Sequence, residues 1–329
     1  MTDAKRPDSD SVGSNAWWAI IGPIPTPPSG GLLATPHDQG RALAQSVTVG
    51  PLQLADGGRA LVEWLTCEPD TLFGVTKFVS WPIIVTGSAP GQRGEISYRE
   101  GSRKLHRLVC LLALAWGEPW QERSAPGSPD AIPLRIPDSW PPPPFWRGSA
   151  DADLGRSDEE LPTWIPAVWD IITADQELAA AASFWHQGLL ATARHPSLAL
   201  VAYIASIEQT ARWLESGGHL AKSKGARQRV DAAIALVASD GERMVLSPVY
   251  RIRSGTAHGA ALHSTETVLG AYFSLNYMPG DPAAGSRPTL EPDLPDPLQV
   301  FTRQLHTAKT VAQRLIFVAF NSKLQEAVS

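Results

Sequence analysis

Four consecutive prolines at residues 141–144, with Trp140 and Trp146 beside them, lie inside a longer stretch crowded with proline and tryptophan, residues 118–166. Each proline fixes its own φ, lacks an amide donor and turns the preceding residue away from helix. Such a segment cannot be regular helix, and consecutive prolines favour extended polyproline II. The stretch therefore divides the chain. It reads as a stiff connector whose tryptophans pin it to a neighbouring domain, or as a segment taken up by an aromatic-grooved partner. The expected order is a disordered tail over 1–14, a small α+β domain over 15–118, the connector over 119–169 and an all-α helical bundle over 170–329.

A chain of 329 residues can fill both units with a real core. Its two cysteines, Cys67 and Cys110, are too few for a disulfide framework and, with no C-x-x-C, make no zinc signature. A reducing compartment follows. The N-terminus is polar without the order of a secretory signal, and the longest apolar run, 108–116, is far short of the roughly 20 residues that span a bilayer. These features predict a soluble, cytoplasmic protein with no membrane partner. The net charge of −5 comes from acidic residues before Asp170, and the remainder is near neutral. Bulk charge thus cannot hold nucleic acid, and any RNA contact must be local.

In the first half, Trp17, Trp18, Ile20 and Ile21 form an apolar patch that must dock, because exposing two adjacent tryptophans is costly. Alternation over 45–54 predicts a strand with an irregularity at Gly50-Pro51. Asp56 is placed to cap a short helix through Leu61, Val62 and Leu65. Residues 72–86 predict one or two strands interrupted at Pro82. A helix opening near Ser102 carries Leu105, Leu108, Val109 and Leu112 on one face. Beside that face lie Arg99, Arg103, Lys104 and Arg107, which read either as a low-grade RNA phosphate patch or as an ordinary solvated helix edge.

After Asp170 the pattern becomes helical. An alanine-rich helix is expected over 171–194, with Leu178, Phe184, Leu189 and Leu190, ending at His195-Pro196. A second over 197–216 presents Leu198, Val201, Ile204, Ala205 and Leu214 and stops at Gly217-Gly218. A third covers 225–239, a fourth begins near Glu242, and another can start at Ser264 or Thr265. Residues 276–297 read as a loop and 297–323 as a closing helix. His186, His195 and His219 have no ligand spacing between them, so no metal or other cofactor is expected.

The fourth helix leads into residues 250–259, Tyr-Arg-Ile-Arg-Ser-Gly-Thr-Ala-His-Gly. In an unbroken helix, positions five apart lie about 140° round the axis, so Arg253 and His258 converge only if the helix breaks between them. Gly255 is a suitable breaker. The pair suits a phosphodiester, because arginine grips phosphate oxygens in a planar fork while histidine moves protons near neutrality.

Tyr250-x-x-Arg253-Ser254-x-x-x-His258-Gly259, preceded by the helical run Ala-Tyr-Ile-Ala-Ser-Ile-Glu at 202–208, resembles the HEPN superfamily, particularly its Apea-like branch. The resemblance covers roughly residues 170–323. It implies an all-α bundle that pairs with a second copy and, in many members, metal-independent endoribonuclease activity in toxins or antiviral defence. Arg253 and His258 match the catalytic pair, Ser254 the polar position where many members carry Asn, Asp or His, and Glu208 the acidic position on the earlier helix. Tyr250 reads as a packed aromatic supporting them. Glu208 reads equally as a surface partner of Arg212 four residues on. The expected function is an RNA-cleaving homodimer whose N-terminal half senses a target or meets a protein partner. The alternatives are a non-catalytic dimerisation or RNA- and partner-binding module, and a regulatory protein whose first half masks the site.

Overall fold

The computed structural model describes residues 16–23, 40–57, 61–65, 76–88, 95–127, 156–192, 195–249 and 297–328. The tail over 1–14, the proline run at 141–144 and the motif at 250–259 lie outside the described residues.

The apolar patch at Trp17 is a strand. β1 (Ala16–Pro23) pairs antiparallel with β7 (Ile83–Ser88) on one side and with β8 (Trp120–Glu122) on the other. A hairpin of β3 (Val47–Val49) and β4 (Leu52–Asp56) completes an antiparallel sheet in the order β3-β4-β7-β1-β8. The expected single strand over 45–54 is thus two, because Gly50-Pro51 turns the chain instead of merely disturbing it. Two small pairs accompany it: β2 (Gly40–Leu43) runs parallel to β9 (Arg156–Glu159), and β5 (Leu61–Leu65) runs antiparallel to β6 (Thr76–Ser80).

The strand β5 corrects the helix expected after Asp56. Asp56 is the last residue of β4, and the Gly57 amide donates to Pro82 O at 2.9 Å, keeping the backbone on the sheet. Leu61, Val62 and Leu65 fit a helical face as readily as a short strand, and pairing with Thr76–Ser80 decides between them.

α1 (Glu95–Trp116) lies over the sheet, packed on β1, β7 and β8. It opens about two turns before Ser102, the expected start. Gly101, which looks like a breaker, lies inside it: a Cβ there would stand 2.9 Å from the Trp17 indole, so the missing side chain lets helix and sheet close together. The apolar stripe is also wider than expected. Every residue from 108 to 114 is buried, because α1 has the sheet on one side and helices on the other.

Those helices are α2 (Trp164–Ala174), α3 (Gln176–Thr192), α4 (Pro196–Ser216), α5 (Ala226–Val237), α6 (Asp240–Leu246) and α7 (Pro297–Val328). The architecture is therefore a small antiparallel sheet with its helix, followed by a mostly helical remainder. α2 starts inside the proline-rich stretch, with Pro166 in its first turn, where a missing N–H has no partner to lose. The alanine-rich helix expected over 171–194 is divided at Asp175. Its carboxylate caps α3, accepting from the Glu177 and Leu178 amides at 3.0 and 3.1 Å, and its other oxygen accepts from Trp213 Nε1 at 2.6 Å.

α4 is central to the remainder, packing against α3, α5 and α7. Its buried arc runs through Ala199, Leu200, Tyr203, Ile204, Ile207, Ala211 and Leu214, whereas the expected face member Leu198 is exposed, as is Phe184 on α3. Gly188 on α3 faces the Tyr203 ring so closely that a Cβ would collide with it. One continuous apolar core runs from Trp17 in the sheet to Phe320 on α7. Among the described residues no helix is long and apolar enough to cross a membrane.

Candidate functional site

The motif residues Tyr250, Arg253, Ser254 and His258 lie outside the described residues, but the chain leading to them does not. α6 opens with a reciprocal cap, in which Ser239 Oγ accepts from the Glu242 amide at 3.3 Å and Glu242 Oε2 accepts from the Ser239 amide at 2.8 Å. Arg314 of α7 donates to Glu242 Oε1 at 2.9 Å. The Ser239 amide, and after it the Ser239 hydroxyl and Arg314, hold the Glu242 carboxyl below its ordinary range. Leu246 is buried at the end of α6, and Val249 is fully buried immediately before Tyr250. The chain thus enters the motif from the interior of the helical unit.

Glu208 sits on α4, half-buried, at the margin of the buried arc: Ile204 and Ala211 beside it are buried and Arg212 is exposed. The four cations of α1 do not converge. Arg99 and Arg103 are exposed, and Arg103 Nη1 lies 3.5 Å from Glu100 Oε2. Lys104 turns toward the sheet, where Nζ donates to Ser88 O at 3.4 Å. Arg107 is half-buried beside His106.

A second group of reactive side chains comes together where α1, α3 and β8 meet. His106 and Cys110 are one turn apart on α1, and His186 reaches them from α3. One donor atom from each lies within 4.8 Å of the others. His106 Nε2 is 3.7 Å from Cys110 Sγ and 2.9 Å from Ser183 Oγ. The rings of His106 and His186 meet edge to face at 6.0 Å. His186 is 3% exposed, and its Nε2 lies 2.5 Å from the carbonyl oxygen of Trp120. Burial pulls the His186 pKa down to about 4 and that of His106 below its ordinary value. Burial, and after it the Glu122 carboxylate, push the Cys110 thiol up. Both imidazoles are therefore neutral at neutral pH.

Sequence spacing among His186, His195 and His219 misses this group, because its members come from two helices and His186 is far along the chain from the others. Two of its three members are legible: His-x-x-x-Cys at 106–110 places two metal-ligating side chains on one helical face. Comparison with family models, curated proteins and solved structures finds no match to this chain.

Proposed function

We propose that the chain is a metal-independent endoribonuclease of HEPN type, acting as a pair of copies in toxin or antiviral defence. The observation that carries this reading is the motif Tyr250-x-x-Arg253-Ser254-x-x-x-His258-Gly259, set directly after a capped helix of a mostly helical unit. The buried Val249 immediately before the motif and the half-buried Glu208 on α4 are consistent with this reading.

The chemistry needs a base for the ribose 2′-hydroxyl, donors for the charge that grows on the phosphoryl oxygens, and an acid for the departing oxygen. His258 of one copy takes the 2′-hydroxyl proton as that oxygen bonds to phosphorus. The bond from phosphorus to the 5′-oxygen breaks, and that oxygen receives a proton from the second copy's His258. Arg253 grips the non-bridging oxygens throughout. One imidazole cannot hold and lack its proton at once, so two copies complete the set. Ser254, Glu208 and Tyr250 support the pair. The products are a 2′,3′-cyclic phosphate and a 5′-hydroxyl.

Purified protein incubated with total RNA in EDTA should give those ends. His258→Ala and Arg253→Ala should each lower the rate by at least about 100-fold, the scale of a lost acid–base or charge-stabilising group. Equal behaviour of parent and His258→Ala, 3′-hydroxyl products, or a strict Mg²⁺ requirement would overturn the assignment and leave a non-catalytic helical module.

A further inference from the structure

We propose that His106, Cys110 and His186 form a zinc site that ties α1 to α3 beside the end of β8. It is independent of the ribonuclease reading and uses none of residues 250–259.

The argument begins at His186. A carbonyl oxygen can only accept, so the contact to Trp120 O fixes the proton on Nε2 and leaves the lone pair on Nδ1. That Nδ1 is buried and has no hydrogen-bond partner. A bare buried acceptor has lost its water without gaining a partner, so it calls for an explanation. An imidazole oriented by a carbonyl through one nitrogen, with the other bare, is how proteins present histidine to a metal.

The remaining donors stand close by, one atom of each of the three side chains lying within 4.8 Å of the others. Zinc held at about 2.0–2.1 Å by nitrogen and about 2.3 Å by sulfur, at the tetrahedral angle, sets those two atoms about 3.6 Å apart. His106 Nε2 and Cys110 Sγ stand 3.7 Å apart. Ring packing and the Ser183 hydroxyl account for His106 without a metal, but neither accounts for His186 Nδ1 or for a thiol in the same group. Two neutral imidazoles and one sulfur make a borderline-soft set that suits zinc over magnesium or calcium. On binding, the Cys110 S–H bond is replaced by S–Zn and one proton leaves to solvent. Three side chains leave one tetrahedral position for the Ser183 hydroxyl or a water.

Full-length protein, stripped with chelator and titrated with Co²⁺, tests this without RNA. We expect a thiolate-to-cobalt charge-transfer band with tetrahedral d–d absorption, both displaced by one equivalent of Zn²⁺, and a higher melting temperature with zinc. Cys110→Ser should abolish the band, Cys67→Ser should leave it, and His186→Gln should weaken zinc binding by more than about tenfold. His195→Gln, at an exposed position, should change nothing. Absence of the band in the parent, or its dependence on Cys67 and not Cys110, would overturn the site. Because cobalt absorption is read on the protein alone, its failure and a failure to cleave RNA are separate results.

Discussion

Asp175 shows how much one side chain can settle. Its extended backbone ends α2, while its carboxylate caps α3 and holds the Trp213 indole of α4, so three helices meet at one residue. Asp175→Ala removes a cap, worth about 1 kcal/mol, and strands a largely buried indole N–H, worth about 1–3 kcal/mol more. Urea denaturation should therefore show a loss of about 2–4 kcal/mol, and Trp213→Phe in that background should cost much less than in the parent. Gly188→Ala makes an opposing case. Helix propensity favours alanine by about 1 kcal/mol, but the new methyl meets a Tyr203 ring that is fully buried, with its hydroxyl 3.0 Å from Thr192 Oγ1. The packing cost of about 1–3 kcal/mol should win, giving a net loss in the same measurement. The sequence names Asp175 as a capping residue type, yet alanine-rich periodicity on both sides hides its use. Gly101 misleads in the opposite way, because nothing local reveals that Trp17 requires the space.

The C-terminal end of α1 depends on its neighbours. It has no basic residue in its last turn, and its final carbonyls are satisfied from α7: Lys309 Nζ donates to Gly117 O at 3.1 Å and Gln313 Nε2 to Leu114 O at 2.8 Å. Lys309→Met should cost about 1–2 kcal/mol by removing a donor and a favourable charge at a helix C-terminus. Thermal melts would read the loss, and an unchanged midpoint would show that the carbonyl is satisfied otherwise. Elsewhere in the helical unit, the Ser223 amide and Arg229 grip Glu215, and the Ser239 amide and Arg314 grip Glu242. Both carboxyls are held below their ordinary range, chiefly by those amides. A carboxylate depressed in the folded state contributes stability that is complete above its unfolded pKa and disappears as pH falls through the folded value. Side-chain NMR should find both glutamates titrating below the usual value of about 4.3, and Glu215→Gln should make acid unfolding less steep. Long elements with strong periodicity, such as α4, α5 and α7, are legible in the sequence nearly to their ends. Short ones such as β5 and β8 are not, since they exist only through partners far along the chain. The same holds for the candidate sites: the Arg253–His258 motif is local and can be read directly, while His186 joins His106 and Cys110 only once α1 and α3 pack.

For the whole molecule, composition and the proline-rich stretch suggest two units, but the packing joins them through α1, with a second contact where Trp169 of α2 lies against Gly50 at the β3–β4 turn. Residues 108–114 are covered by the sheet on one side and by α2, α3 and α7 on the others. A fragment of residues 170–329 would leave α3 and α7 without that cover, so it should be insoluble or bind a hydrophobic dye in excess of the full chain. A soluble, cooperatively melting fragment would show that α1 is dispensable. The masked-site alternative consequently needs point variants, since deletion removes core and cover together. A helix that belongs equally to both parts also rules out modularity: neither part can be exchanged for a cassette from another protein without redesigning the partner surface.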